Sequence, residues 1–571
     1  MIFRNILKDY FEKNKANVIL YILVCSIDNI VRVLVTSKVY SSFLNKDSDL
    51  TKTIKNVIVV WILKFILSYS KSYLESIIIP TLICFVRNRL VEDYIKTNEI
   101  NFNDVNVSND VRHIIDATKL IEDVVVWTVE SVIPVFTLIV CMNGYFLIKY
   151  PKVGSINILG TIISLFVIKN NYKDVVDKTA EREELFMKLV DDIDEKLNNM
   201  MNIYLNNKSD NTIENIQTIA EVDTKRHAKQ YKYLEDFTTN IKIVNYIFSG
   251  LGLYTLYKCT DRENFVNGLL IYTFFIQIQE TIIEEIPKHI IKLSNLNHIE
   301  NYLQKKVYNR MNNISKSNYK DLNKFNGNIT INNISFKYDP IEISRVLDNI
   351  KDSKDQEKLK PAEISNVINN LNLSIKSGER IAVYAQSGSG KSTLMKLLLA
   401  FYSPQTGSIL LDGRDISTIN PIHIRDRINY INQKTILFQD SIINNMRYGN
   451  DKSQEEIIDF LKKYNLLYIF KDCDKSENTC LNSIIQSSGL NMSLGMQKVI
   501  FLVRGILKDS DVYIFDEPLT SLDASTRKNV IEMIDKETKG KTVIIITHDS
   551  EINNIVDRQV NLLEIQDNEK K

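Results

Sequence analysis

Ala385-Gln386-Ser387-Gly388-Ser389-Gly390-Lys391-Ser392-Thr393 joins the apolar segment Ile381-Ala382-Val383-Tyr384 to Leu394-Met395-Lys396-Leu397-Leu398-Leu399-Ala400. A buried strand therefore runs through a Gly/Ser turn into a helix, the context in which such a loop cradles phosphate. Backbone N–H groups of Ser387, Gly388, Ser389 and Gly390 can point into one concavity, and the helix N-terminus adds its positive end. Lys391 is placed to reach the β- and γ-phosphates of a nucleotide and Ser392 to ligate Mg²⁺, with Thr393 closing the motif. Ala385 stands where the strict pattern has glycine. Its methyl is tolerated at negative φ, so nucleotide binding is expected to survive in weakened form.

On the C-terminal side, Asp511-Val512-Tyr513-Ile514-Phe515-Asp516-Glu517 is an apolar strand ending in two acids. A strand-end carboxylate beside a phosphate loop completes a Mg²⁺ shell, which suits Asp516. Glu517 is then placed to polarise an attacking water as general base. Thr542 to Thr547 is a further buried strand, and His548 at its end can meet the γ-phosphate, because ligands of open α/β sheets sit at the carboxyl ends of strands. On the N-terminal side, Ile329 to Lys337 reads as a strand ending at Tyr338, an aromatic that could stack on an adenine ring. Residues 341–363 form a charged insertion without an assigned role.

At 571 residues the chain needs at least two cores. Its 71 basic and 70 acidic side chains nearly cancel, which argues against nucleic acid as a partner. Mean hydropathy of −0.12 averages an apolar first half with a polar second half. Six scattered cysteines contain no CxxC pair, so neither a disulfide framework nor a zinc site is expected.

The chain start, Met1 to Lys13, is interrupted by charges and is not a secretory signal. Ile2, Phe3, Ile6, Leu7, Tyr10 and Phe11 share one helical face, which fits an interfacial helix. Six apolar stretches then follow, near 17–44, 54–82, 124–148, 154–168, 241–257 and 265–286. Each can cross a bilayer core that needs roughly 20 helical residues, the fourth being short. Long charged connections at 83–123 and 169–242, together with Arg4, Lys8, Lys13 and Lys15, place one side and both termini in the cytosol. Both connections read as helical rods with breaks near 102–110 and 205–210. Asp28, Arg32, Lys64 and Glu130 lie within or near spans and are candidates for a substrate pathway, with Asp28 and Arg32 able to pair on one face.

Six spans followed by these motifs resemble the ATP-binding cassette (ABC) exporters in half-transporter form. The adenine-stacking tyrosine resembles Tyr338, the Walker A loop 385–393, the Q-loop Gln433, the signature Met492-Ser493-Leu494-Gly495-Met496, Walker B 514–517, the D-loop Ser521-Leu522-Asp523 and the switch histidine His548. The resemblance implies an α-helical transmembrane domain over 1–303, a linker over 304–326 and an α/β P-loop NTPase domain over 327–571. It implies ATP and Mg²⁺ as cofactors, the metal held by Ser392, Gln433 and Asp516, and Glu517 and His548 as the hydrolytic pair. It implies a dimer, homo- or heteromeric, embedded in membrane lipid, in which Ser493 and Gly495 of one chain meet the nucleotide on the other. Loop tips near Asn109 and Asn207 resemble coupling helices. Leu494 and Met496 depart from the family's Gly and Gln, as does Ser487-Ser488-Gly489 from Glu-Arg-Gly. Such departures beside an intact Glu517 and His548 suit one member of a heterodimer, a homodimer that tolerates the change, or an ATP-sensing subunit with little turnover.

Overall fold

The computed structural model describes residues 2–31, 35, 50–100, 107–304, 319–322, 324–338, 366–384, 388–432, 436–470, 481–486 and 492–566. It divides into two compact units, Met1–Lys96 with Asp104–Met311 and Thr97–Asn103 with Asn312–Lys571.

The first unit is helical: α1 Ile2–Lys13, α2 Lys15–Ile30, α3 Leu50–Ile100, α4 Val107–Trp127, α5 Ile133–Lys149, α6 Pro151–Asn198, α7 Met200–Leu205, α8 Ser209–Cys259 and α9 Arg262–Leu303. At 1.5 Å per residue, the 51 residues of α3 and of α8 extend roughly 75 Å, far beyond a hydrocarbon core of about 30 Å. The charged connections are thus continuations of the spans, as the spacing predicts. Among the described residues, three helices are long and apolar enough by themselves to cross a membrane, Thr51–Glu99, Asp110–Lys149 and Pro151–Asn198. The short fourth stretch is the start of the 48-residue α6. The third is continuous but irregular: the π-turn Thr128–Val132, followed by Pro134, interrupts the α-helical hydrogen bonding between α4 and α5 while the helix runs on.

The interfacial reading of α1 gives way to a docked one. Ile2, Phe3, Ile6 and Tyr10 are buried in the same core as Leu74, Ile78 and Leu82 of α3, and the Tyr10 hydroxyl donates to Ile78 O at 2.9 Å. Protein, rather than a lipid surface, covers that face. Of the span charges, Glu130 takes the Tyr21 hydroxyl at 2.6 Å and lies 3.0 Å from Lys71. Asp28 is buried; Arg32, its expected partner, lies outside the described residues, as do the insertion 341–363 and most of the linker.

The second unit is a cassette of two sheets. Its elements are β1 Ile329–Phe336, β2 Ile368–Ile375, β3 Arg380–Tyr384, α10 Lys391–Leu398, β4 Thr406–Leu411, β5 Arg414–Asp415, α11 Pro421–Arg427, β6 Ile428–Ile431, α12 Ile442–Arg447, α13 Gln454–Lys463, α14 Leu494–Leu507, β7 Val512–Asp516, α15 Ala524–Glu537, β8 Thr542–Ile546 and β9 Arg558–Asn561. One sheet is antiparallel, in order β2-β1-β4-β5; the other, parallel, has order β6-β7-β8-β3-β9. Every residue of β7 and of β8 is buried, as expected of parallel strands covered on both faces. Burying a side chain such as Phe515 or Ile544 stabilises the sheet by roughly 1.5–3 kcal/mol each. This places the carboxyl ends of β3, β7 and β8 side by side, with β8 between the other two.

Candidate functional site

The three strand ends carry the expected groups. Beyond β3, Gly388 and Gly390 have φ of 82° and 89°, and a Cβ on Gly390 would stand 2.9 Å from the carbonyl oxygen of Val367. Glycine is thus required twice in the turn that leads into α10. Lys391 is half-buried, the Ser392 hydroxyl is on an exposed residue, and Thr393 is buried with Oγ1 hydrogen-bonded to the Tyr338 hydroxyl at 2.9 Å. That bond fixes Tyr338 beside the loop, and its ring meets Phe336 and Tyr402 edge-on. Ser387 and Gln433 lie outside the described residues, as does Ala385.

At the end of β7, Asp516 is buried and its Oδ2 accepts the Tyr430 hydroxyl at 2.8 Å. Burial and the neighbouring Asp516 push the Tyr430 phenol well above its ordinary range, so it stays a donor to this carboxylate. Glu517 follows with φ of 49°, and its N–H donates to Ile546 O at 2.8 Å. Its Oε1 is buried without a hydrogen-bond partner, 3.6 Å from His548 Nε2 and 4.0 Å from Lys391 Nζ. Lys391 Nζ lies 3.1 Å from His548 Nε2, within hydrogen-bond distance. Lysine, glutamate and histidine from three different strand ends thus surround one point. A carboxylate oxygen kept free of donors can take a proton or hold a water, while the lysine supplies the positive charge a phosphate needs.

The signature residues lie at the start of α14. Ser493 caps α14, its Oγ accepting the Met496 N–H at 3.2 Å, which leaves the hydroxyl hydrogen to donate elsewhere. Leu494 is 68% exposed, so its side chain projects from the first turn instead of filling the core. A Cβ on Gly495 would lie 3.1 Å from Ser521 O, and Ser521 itself has φ of 67°. The first turn of α14 therefore rests closely on the loop after Glu517.

Two groups escape a motif reading. Tyr430, three residues before Gln433, proves to be a partner of Asp516. Lys498, 5% exposed on α14, donates from Nζ to the carbonyl oxygen of Asp516 at 3.1 Å. Burial brings its ammonium down to about 8, against the opposing pull of Asp516 and Glu517. Its signal in the sequence is a lone lysine ahead of the apolar run 499–503, on the helical face that Phe501 and Leu502 bury.

Comparison with known proteins agrees with this geometry. Residues 368–520 match the ABC transporter family model, a stretch that spans the phosphate loop, the signature and Glu517. A putative export ATP-binding/permease protein of Rickettsia bellii is 25% identical over 94% of this chain and 90% of its own length. ABC transporter B family member 14 of Arabidopsis thaliana is 36% identical over 31% of this chain, and the alpha-hemolysin translocation ATP-binding protein HlyB of Escherichia coli O6:H1 is 34% identical over 40%. The chain spans only 14% and 29% of those two proteins' lengths. A bacterial Atm1-family ABC exporter solved with ATP bound superimposes with a TM-score of 0.74, at 16% identity, over 96% of this chain and 93% of that one.

The fold is that of an ABC exporter, apolar helices in one unit and an α/β nucleotide-binding cassette in the other. The chain thus resembles the ABC exporters, and among the described residues three of its helices are long and apolar enough to cross a membrane.

Proposed function

We propose that the chain hydrolyses ATP and uses the cycle to export a solute or lipid across a membrane, as one half of a dimer whose termini and cassettes are cytosolic. The observation that carries the reading is the buried, unpartnered Oε1 of Glu517 facing Lys391 and His548. Glu517 orients a water against the γ-phosphorus; its oxygen bonds to phosphorus as the bond to the ADP oxygen breaks, and Glu517 takes the proton. Lys391 and His548 bind the γ-phosphate oxygens, while Ser387 to Gly390 donate backbone N–H groups and Tyr338 meets the base. The oxygen-rich set of Ser392, Asp516 and Gln433 fits Mg²⁺, a hard cation that would neutralise phosphate charge. Ser493 and Gly495 serve the nucleotide of the other chain.

The cargo's route is supported by a cavity of about 480 Å³ in the helical unit, lined by Trp127, Glu130, Asn157, Phe248 and Glu285 among others. Its two lining carboxylates are each paired with a lysine, Glu130 with Lys71 at 3.0 Å and Glu285 with Lys288 at 2.6 Å, so the lining is close to charge-balanced and its many apolar side chains fit an amphiphilic cargo.

Leu494 favours a second reading. An exposed leucine at the signature crowds a partner's phosphate, as in an ATP-sensing half of a heterodimer. The test is ATP hydrolysis by the full chain in lipid nanodiscs beside its Glu517→Gln variant. The hydrolytic reading expects clear turnover that the substitution lowers about a hundredfold or more, with ATP binding retained. Tight ATP binding with no turnover in either protein would select the sensing reading.

A further inference from the structure

Glu517 must hold its carboxylate still while its own backbone sits in the left-handed region, φ 49°, which costs a non-glycine residue roughly 1–2 kcal/mol. Two contacts secure the peptide that leads into it. The Glu517 N–H donates to Ile546 O at 2.8 Å, and the carbonyl oxygen of Asp516 accepts the Lys498 ammonium at 3.1 Å. The second contact is unusual, because a lysine 5% exposed directs its ammonium at a backbone carbonyl among buried apolar side chains, at a desolvation cost that the nearby Asp516 and Glu517 carboxylates only partly offset. Val499, Ile500, Leu502 and Val503 around it are fully buried, so a hydrophobic side chain of the same length would pack there with less desolvation. Stability alone does not call for a lysine at this point. The group it reaches is the peptide that sets the direction of Glu517, and Lys498 sits on the helix whose first turn carries Gly495.

We propose that Lys498 is a positioning residue for Glu517: its ammonium anchors the Asp516–Glu517 peptide and so fixes where the Glu517 carboxylate points. The inference rests on the hydrolytic role of Glu517 proposed above.

The test uses the full chain in lipid nanodiscs, with Lys498→Met, Lys498→Arg, Glu517→Gln and the double variant Lys498→Met/Glu517→Gln. Lys498→Met keeps the length of the side chain and removes the charge; the expected loss in kcat is roughly tenfold or more, with KM for ATP within about twofold. Lys498→Arg restores most of kcat, and the melting temperature of Lys498→Met equals or exceeds that of the wild type. In the Glu517→Gln background, Lys498→Met causes no further loss, since both act through one carboxylate. A merely structural lysine would instead lower the melting temperature and add its loss to that of Glu517→Gln, and either result overturns the proposal, as does an unchanged kcat in Lys498→Met. Amide hydrogen exchange of the nucleotide-free chain over 514–518 separates this from the hydrolytic reading. Exchange there speeds up roughly tenfold in Lys498→Met and not in Lys498→Arg. If the wild type shows no turnover, the hydrolytic reading fails while this measurement still decides whether Lys498 holds the peptide; unchanged exchange overturns it.

Discussion

Glu517, Leu494 and Gly390 show three ways in which one residue governs the cassette. Glu517 has an acidic side chain in a conformation that glycine adopts far more readily. Such strain persists where surrounding contacts over-determine it, and the bonds through Ile546 O and Asp516 O do so here. Gly390 shows the converse, a position where any side chain would strike Val367. Leu494 projects outward from a helix N-terminus and buries little, so removing it should matter little to the fold. Leu494→Gly is expected to change stability by less than about 1 kcal/mol and to raise ATP turnover severalfold if the leucine crowds the partner's phosphate. Equal turnover in the two proteins would show that the composite site accommodates it. None of this was legible as conformation: the sequence shows Asp516-Glu517 and Ser493-Leu494-Gly495 as motifs, whereas backbone torsion and exposure depend on what packs beneath.

Among the elements, those with a local code were legible and those with a tertiary cause were not. Strands β7 and β8 announce themselves as continuous apolar runs, and the start of α15 as an aspartate before Ala524. Asp523 accepts the N–H groups of Ser525 and Thr526, each at 3.0 Å, and bonds to the hydroxyls of Ser525 and Thr526 hold its carboxyl far below the usual range. Because folding lowers this pKa, the stabilisation is complete above the unfolded value of about 3.9 and is lost as pH falls below it. Asp523→Asn keeps a capping acceptor without the charge. Thermal melts from about pH 6 down to about pH 3 should therefore show the wild type's advantage shrinking with acid; a constant gap would mean the charge plays no part. By contrast, the π-turn Thr128–Val132 has no marker beyond Pro134, because it reflects how the turn and α5 meet α2 and how Glu130 meets Lys71 and Tyr21. Docking of α1 was equally hidden. An amphipathic pattern names a face to be covered and leaves its cover open.

At the scale of the molecule, two predictions concern what the chain joins and what it carries. The role proposed for Ser493 and Gly495 at a partner's nucleotide requires assembly in pairs, so light scattering on the purified chain with ATP and the Glu517→Gln substitution should report a dimer. A monomer under those conditions would point to a different partner chain. For the cargo, the largely apolar lining of the cavity predicts that an amphiphile stimulates ATP turnover and that a fully polar solute of the same size does not. Stimulation by the polar solute alone would remove the cavity from the cargo's route. By itself the sequence determined the two kinds of structure, apolar helices and a P-loop α/β cassette, and which residues stand at its strand ends, because phosphate loops, strand-end acids and spans are encoded by neighbours a few residues apart. Only the tertiary structure decided that Lys498 and Tyr430 hold the acids of β7, that α1 is buried against α3 and that Glu517 keeps one oxygen free. These depend on groups distant in the chain meeting in space, which no local pattern records.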